Sequence, residues 1–195
     1  MICALFGLDQ QIITIDNSKL EWNHESYPFS NWEADQTLSS AMKYSVNWYF
    51  DTILSSLSTE MQSNYLRLLQ YGNQSPKDTS SIFGMETSLK ISPVEQVLLL
   101  TRLYKNELSF STDQMNAVKD SLYITSSTHG KLYGKTGTGR IDEKDTNGWF
   151  IGYVISDTNT YIFATNIQAS DYANGKTAST LTLAILSMLH LWDEP

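Results

Sequence analysis

The residues best suited to chemistry lie near the C-terminal end of the chain, in residues 132–139 (LYGKTGTG). Their pattern predicts a strand that runs out into a glycine-rich turn. Within it, the Lys135 ammonium can hold an anion, and the Thr136 hydroxyl can donate a hydrogen bond to the same anion. Gly137 has no Cβ, so the backbone of a ligand can lie against the strand at this point. The segment therefore predicts a binding site for an anionic ligand.

A lysine followed by threonine also occurs in phosphate-binding loops, which carry the pattern GxxxxGK[ST]. Gly134, Lys135 and Thr136 match the end of that pattern, but Gly130 is one residue too close to supply its first glycine. The lysine also lies in a strand pattern, whereas the lysine of a phosphate-binding loop stands at the start of a helix. The spacing therefore argues against a phosphate-binding loop.

The stretch that follows makes the pattern more specific. A short charged insert separates residues 132–139 from residues 147–153 (NGWFIGY). Together the two segments resemble those of the penicillin-recognising serine acyl-transferases, the superfamily of penicillin-binding proteins and serine β-lactamases. Within it, the chain is most similar to class D β-lactamases and to the extracellular sensor domains of β-lactam sensor-transducers. The resemblance implies that Lys135 and Thr136 bind the β-lactam carboxylate and that Thr138 contributes a backbone N–H to the oxyanion hole.

A second candidate group lies on a helix that either Asp35 or Thr37 is predicted to cap, on the face that carries Ser45. Taken alone, Ser45 is an ordinary serine on the core face of a helix. Ser45-Val46-Asn47 nevertheless resembles the second family motif, S-x-N or S-x-V, whose serine relays a proton to the leaving nitrogen, and Val46 and Asn47 are then predicted to bind substrate. On an unbroken helix Ser45 and Asn47 would point about 200° apart. Both can line one site only if the helix breaks between them, as it does in the family.

A third candidate group is Tyr71, Gly72 and Asn73, where an amphipathic helix with apolar residues between Met61 and Leu69 is predicted to stop. Gly72 suits the left-handed position after a helix end, so a plain helix stop explains the segment. Tyr-Gly-Asn is also the third motif of class D enzymes, and the resemblance implies that it forms part of the wall of the substrate site. Further along, Gly84 stands where the family has a tryptophan that packs on the modified active-site lysine. This difference removes a support for the deacylating base and favours a long-lived acyl-enzyme.

The nucleophile motif of the family, S-x-x-K, is missing from its expected place. Residues 1–8 (MICALFGL) predict a buried helix that is apolar all round, and they resemble the segment that directly follows S-x-x-K. We therefore expect the motif upstream of these residues, and we expect residues 1–195 to form a single penicillin-binding domain whose N-terminal part is missing. Ser40 and Lys43 form the one S-x-x-K pair of the chain, but at 100° per residue both point away from the helix face of Ser45.

Three functional hypotheses follow from the resemblance. The intact family reaction is the attack of a serine on the lactam carbonyl, with Lys135 and Ser45 as the catalytic residues that this chain retains. Persistence of the acyl-enzyme makes a β-lactam sensor, which Asn47 and Gly84 favour, whereas its hydrolysis makes a class D β-lactamase. The missing S-x-x-K supports a third hypothesis, a truncated and non-catalytic binding module.

The elements that must position these residues form a mixed α/β (α+β) fold of the β-lactamase and transpeptidase kind. Runs of β-branched and aromatic residues predict an antiparallel meander of residues 131–136, 148–156 and 160–167. The last helix is predicted to pack on this sheet through one apolar stripe. The stripe consists of Ala178, Leu181, Ala184, Ile185, Met188 and Leu189.

Helices are predicted from about residue 36 to residue 122, as a region separate from the sheet. Capping boxes are expected at residues 92–95 and 111–114, where a serine precedes Glu or Gln by three positions. The helix after the first box is predicted to bury one stripe, which consists of Val94, Val97, Leu98, Thr101 and Leu103.

Composition excludes several classes of function. The chain has 195 residues with 13 basic and 21 acidic side chains, and its net charge of −8 argues against nucleic acid or an anionic membrane as a partner. The histidines and Cys3 lack metal-ligand spacing, and no metal or cofactor is predicted. The predicted partner is a β-lactam antibiotic. The resemblance implies a place on the extracytoplasmic face of a bacterial membrane or in a secreted protein, with any membrane tether outside this chain.

Overall fold

A computed structural model of the chain describes residues 1–74 and 89–193. Gly84 and its motif lie outside the described residues. The chain divides into two compact units: Met1–Leu69 with Leu103–Leu122 form unit 1, and Gln70–Arg102 with Tyr123–Pro195 form unit 2. The single penicillin-binding domain expected for residues 1–195 stays a prediction.

Helices and antiparallel strands share the described residues, as the predicted mixed α/β fold requires. The helices are α1 (Ile2–Asp9), α2 (Leu38–Tyr44), α3 (Asn47–Ser55), α4 (Thr59–Leu69), α5 (Pro93–Tyr104), α6 (Thr112–Ser121) and α7 (Gly175–Met188), with a 3-10 turn at Ser30–Trp32. The strands are β1 (Tyr123–Ser127), β2 (Gly130–Ile141), β3 (Lys144–Ile155) and β4 (Thr160–Gln168).

Unit 1 is built around α1, whose residues from Ile2 to Leu8 are all buried, as the apolar sequence predicted. It packs against α3 and α6. The Phe6 ring stacks on Tyr65 with centroids 4.4 Å apart. A Cβ on Gly7 would lie 2.9 Å from a methyl carbon of Ile53, so the small residue lets α1 approach α3 closely. The helix is therefore a core element of unit 1.

The predicted capping boxes are confirmed. The Ser92 hydroxyl receives the N–H of Glu95 at 3.2 Å, while the Glu95 carboxylate receives the N–H of Ser92 at 2.8 Å. Ser111 and Gln114 make the same reciprocal pair at the start of α6. Each box satisfies two donors that a helix start leaves without a partner inside the helix.

The four strands of unit 2 form one antiparallel sheet in the order β1-β2-β3-β4. The three predicted strands are confirmed, and β1 is a fourth that the sequence analysis missed. The prediction of a glycine-rich turn is wrong, because β2 continues through the glycines of residues 132–139 to Ile141. The hairpin instead turns at Asp142 and Glu143, whose φ angles are 47° and 62°. Two successive positive φ values are typical of a two-residue hairpin turn, which matches the right-handed twist of the strands.

The helix α7 packs on the sheet as predicted, but through a different face. Its buried line consists of Gly175, Ala178, Thr182 and Leu186. Of the predicted stripe only Ala178 is buried, and Met188 is 79% exposed. The small residues let α7 approach the strands, and a hydrogen bond of 2.7 Å joins the Thr182 and Thr165 hydroxyls. Sheet contact thus selects the small-residue face over the more apolar one.

The predicted stripe of α5 is also wrong. Its buried residues are Gln96, Leu99, Leu100 and Leu103, whereas Val94 is 70% and Leu98 59% exposed. The predicted and the observed buried stripes are related by a rotation of α5 about its axis. Because apolar residues occur on both sides of this helix, their spacing does not determine which side is buried. Only Leu103 was correctly placed inside.

Candidate functional site

The helix break expected between Ser45 and Asn47 is present in unit 1. The helix α2 ends at Tyr44, and Ser45 adopts the left-handed conformation with φ 53° and ψ 47°. Val46 is extended, and α3 begins at Asn47. The Val46 N–H donates to the carbonyl of Ala41 at 2.9 Å, which closes the end of α2. The left-handed serine turns the chain so that α3 starts in a new direction.

The three residues of this break differ in exposure. Ser45 is half-buried and Asn47 is exposed, whereas Val46 is completely buried. The side chain of Val46 therefore anchors the break, and only its backbone can take part in the binding predicted for it. The other two side chains remain accessible for the predicted roles of proton relay and substrate contact.

Two tryptophans that the sequence analysis did not single out hold this break in place. The Trp32 indole N–H donates to the carbonyl of Tyr44 at 3.0 Å, and the Trp48 indole N–H donates to the carbonyl of Trp32 at 2.9 Å. Both bonds cross from one segment to another, and they fix the loop before α2 against the residue that precedes Ser45. The sequence gives one indication of such bonds, since an indole N–H in the interior needs a hydrogen-bond acceptor. It does not indicate which residue supplies that acceptor.

The left-handed conformation of Ser45 leads to a stability prediction. Glycine adopts this conformation without the Cβ penalty, so Ser45→Gly is expected to be more stable than Ser45→Ala by roughly 0.5–1 kcal/mol. Both variants lack the hydroxyl, so their difference isolates the backbone conformation. Urea unfolding of the two variants measures it. Equal stability, or a more stable alanine variant, would contradict the strain assigned to Ser45.

In unit 2, the central residue of β2 is Lys135, which is half-buried. Its ammonium donates to the carbonyl of Thr136 at 2.7 Å. Burial disfavours the charged form and lowers the pKa of Lys135 to about 8. The ammonium is therefore charged at neutral pH but poorly solvated, a condition that favours an incoming anion.

The outer edge of β2 is covered over only part of its length. The strand β1 pairs with β2 from Gly130 to Tyr133, whereas β3 pairs with it as far as Ile141. From Thr136 onward, no described strand lies along the outer edge. A Cβ on Gly137 would meet just one atom within 4 Å, the Trp149 Cβ at 3.7 Å, so the space beside this residue is open. An extended ligand can add to such an edge.

The N-terminus of α7 lies against the same segment of β2. The N–H of Gly175 donates to the Thr138 hydroxyl at 3.0 Å. A Cβ on Gly175 would lie 2.8 Å from the Thr136 Cβ and 2.9 Å from the carbonyl oxygen of Gly137. The segment 136–138 is thus packed directly on the first residue of a helix.

The structure corrects the helix stop predicted at Gly72. The helix α4 ends at Leu69, and Gln70 takes the left-handed position with φ 55°. Gly72 has φ 51° in the turn that follows, and a Cβ there would lie 1.8 Å from the carbonyl oxygen of Lys90. Asn73 donates its N–H to that oxygen at 2.9 Å and accepts the N–H of Lys90 at 3.1 Å. Tyr71, Gly72 and Asn73 thus form a fixed turn, and their contact with a ligand stays a prediction.

The part of the chain that is described offers neither a metal-binding cluster nor a helix that could span a membrane. Residues 1–74 and 89–193 contain no group of three His, Cys, Asp or Glu side chains placed to hold a metal ion. Within the same residues, no helix is both long and apolar enough to cross a bilayer.

Comparison with known proteins relates the whole chain to one family. The profile of the penicillin binding protein transpeptidase domain matches residues 1–187. The methicillin resistance mecR1 protein of Staphylococcus aureus is 38% identical over 188 residues, which make up 96% of this chain and 32% of that protein. The chain therefore spans about a third of the length of the curated relatives that it matches first.

Solved structures show the same relationship. The C-terminal domain of the Bacillus licheniformis BlaR penicillin-receptor superposes with a TM-score of 0.91 at 37% identity, covering 98% of this chain and 77% of that one. A class D β-lactamase from Bacillus subtilis superposes with a TM-score of 0.89 at 32% identity, covering 99% of this chain and 79% of that one. Both kinds of relative that the sequence suggested, sensor and class D enzyme, thus share the fold.

Proposed function

Because the chain belongs to the penicillin-binding protein transpeptidase family, we propose that it binds β-lactams and that the intact protein senses them through serine acylation. The observation that carries the proposal is the position of Lys135. Its partly desolvated ammonium lies next to the stretch of β2, from Thr136 onward, whose outer edge is not covered by any strand among residues 1–74 and 89–193. A small ligand with a carboxylate and an extended amide backbone matches that combination.

In the proposed complex, the β-lactam carboxylate lies on Lys135 and Thr136. The ammonium supplies a charge-assisted hydrogen bond, and the threonine hydroxyl supplies a second donor. The ligand backbone runs along Gly137, where no Cβ blocks it, and the Thr138 N–H is one oxyanion donor. Ser45 relays a proton to the lactam nitrogen during acylation in the intact protein, and Asn47 contacts the ligand.

Sensing is favoured over hydrolysis by two features. Asn47 stands where class D enzymes usually have an apolar residue, and the first relatives by similarity include a penicillin receptor and a methicillin resistance protein. The alternative is a class D β-lactamase, which the likeness to the Bacillus subtilis enzyme supports. We further propose that the domain works outside the cytoplasm, with any membrane tether in other parts of the protein.

Comparing benzylpenicillin with its methyl ester tests the proposed binding mode. The two ligands share the fused rings and side chain, but the ester has no negative charge. Calorimetric titration of the 195-residue chain is expected to give at least about tenfold weaker binding of the ester, because a charge-assisted contact contributes roughly 1.5–3 kcal/mol. Equal affinities would show that Lys135 does not hold the carboxylate.

The lowered pKa of Lys135 predicts how binding depends on pH. The carboxylate selects the ammonium form, which dominates below about pH 8 and is lost as the pH rises through that value. Benzylpenicillin affinity is therefore expected to be constant from pH 6 to 7 and to fall by up to about tenfold per pH unit well above pH 8. Titrations across this range measure the effect, and Lys135→Ala is the control because its profile should be flat. A flat profile for the wild type would contradict the assignment.

A further inference from the structure

We infer that Asp145 and Asn174 are positioning residues, whose paired side chains hold the first residue of α7 against residues 136–138 of β2. The inference deepens the proposed function and rests on it, since that segment is the proposed ligand-binding edge. Neither side chain was predicted to belong to the site. Both lie behind the binding residues, and we assign them no contact with the ligand.

Asp145 accepts three hydrogen bonds, and two of them come from the segment that begins α7. The Asn174 amide donates to one carboxylate oxygen of Asp145 at 3.2 Å. The Arg140 guanidinium donates to the other oxygen at 2.6 Å. The Ala173 N–H donates to the backbone carbonyl of Asp145 at 2.8 Å. The Asp145 side chain is only 20% exposed, and Arg140, followed by Asn174, lowers the pKa of its carboxyl group. The ionised carboxylate thus joins the hairpin to the start of α7.

A bulge in β3 brings this carboxylate to the helix. Gly139 pairs with Asn147, but the next residue of β2, Arg140, pairs with Asp145, so that the register passes over Thr146. Thr146 instead forms a parallel bridge with Ala173, the residue before Asn174. A bulge bends a strand and redirects its side chains. Here it attaches the segment before α7 to the end of β3.

The attachment leaves little freedom at the binding edge. A Cβ on Gly148 would lie 2.3 Å from the carbonyl oxygen of Asn174, so β3 and this residue are in close backbone contact. One residue further, Gly175 donates to the Thr138 hydroxyl and packs on Thr136. A shift of Asn174 would therefore move Gly175 and the two threonines of the binding segment. The Asp145–Asn174 pair consequently sets the position of the Thr136 hydroxyl and the Thr138 N–H.

Asn174 uses different atoms for this link and for capping α7. Its side-chain oxygen accepts the N–H of Thr177 at 2.9 Å, which is the helix cap, while its nitrogen donates to Asp145. Asn174→Asp keeps an oxygen for the cap and replaces the donor by an oxygen that faces the Asp145 carboxylate. Aspartate is as good a capping residue as asparagine. The variant therefore breaks the link by charge repulsion while it preserves the helix start.

The test compares three forms of the chain: wild type, Asn174→Asp, and the exchanged pair Asp145→Asn with Asn174→Asp. In the exchanged pair, the amide introduced at position 145 can donate to the carboxylate introduced at position 174. We expect Asn174→Asp to shift the amide resonances of residues 136–138 and Gly175 and to weaken benzylpenicillin binding about fivefold, the effect of one hydrogen bond. The exchanged pair is expected to restore both properties to within about twofold of the wild type.

Ser111→Ala is the control for general destabilisation. It removes the helix cap of α6 in unit 1 and should lower the unfolding temperature without changing the affinity. The inference is overturned if Asn174→Asp leaves the resonances of residues 136–138 unchanged, or if the exchanged pair is as weak as the single variant. If the wild type fails to bind benzylpenicillin, the proposed function is wrong, while the resonances of the ligand-free protein still decide the positioning role.

Discussion

Replacing Lys135 by alanine is expected to weaken benzylpenicillin binding by about tenfold or more. The ammonium is already partly desolvated in β2, which lowers its pKa to about 8, so little further solvation is lost when a carboxylate binds. A charge-assisted hydrogen bond contributes roughly 1.5–3 kcal/mol, and 1.4 kcal/mol corresponds to a tenfold change in affinity. Titration calorimetry at pH 7 measures the loss. Lys131→Ala is the matched control, since it removes an exposed lysine from the other end of the same strand and should change the affinity by less than about twofold.

Combining this variant with the methyl ester shows whether the lost affinity belongs to the carboxylate. If Lys135 contacts that group, removing the lysine should cost the ester little, because the ester has no charge for the ammonium to bind. The two changes should then be strongly non-additive, as expected for groups in direct contact. Full additivity would place the role of Lys135 away from the carboxylate.

Residues 1–195 are expected to form no covalent penicilloyl adduct when they are incubated with a penicillin. The side chains of the one S-x-x-K pair, Ser40 and Lys43, make other contacts. The Ser40 hydroxyl donates to the side-chain oxygen of Gln36 at 2.8 Å and accepts the N–H of Thr37 at 3.0 Å, as part of the capping box of α2. Lys43 is exposed, with its ammonium 5.3 Å from the centre of the Tyr44 ring. Neither side chain is arranged as a nucleophile with its base.

Intact-mass spectrometry after incubation with excess benzylpenicillin measures this outcome. The mass is expected to stay that of the unmodified chain while calorimetry under the same conditions shows reversible binding. A stoichiometric adduct that peptide mapping places on Ser40, or on any other serine of the chain, would contradict the prediction. An adduct on a serine other than Ser40 would also show that the chain carries a nucleophile that the S-x-x-K spacing does not reveal.

Local patterns predicted the elements of the site well. Runs of β-branched and aromatic residues placed Lys135 in a strand, because such side chains fit a pleated and partly buried sheet. The opposite directions of Ser45 and Asn47 on a continuous helix required a break, and the left-handed Ser45 provides it. The start of α2 was likewise set by Thr37, one of the two capping residues that the sequence offered.

Local patterns could not predict which face of a helix is buried or which distant residues are in contact. The helix α7 has two stripes at helical spacing, and only the sheet decides that the small residues from Gly175 to Leu186 face inward. The hairpin turn uses Asp142 and Glu143 although glycines stand nearby, because Gly137 and Gly139 pair with Trp149 and Asn147 of β3. The bond between Asp145 and Asn174 spans 29 positions and follows no spacing rule. Such contacts become visible only when the chain is folded.

The most direct test of ligand binding at β2 is a titration of the ¹⁵N-labelled chain with benzylpenicillin, followed by the amide resonances. Saturable shifts are expected at residues 135–138 and at Gly175, and in Lys135→Ala they should need at least about tenfold more ligand to reach half-saturation. Shifts confined to unit 1 would contradict this result. Such shifts could arise at its cavity of about 190 Å³, which Leu8, Ile15 and Ala117 help to line, and they would show that a β-lactam binds this chain elsewhere than at β2.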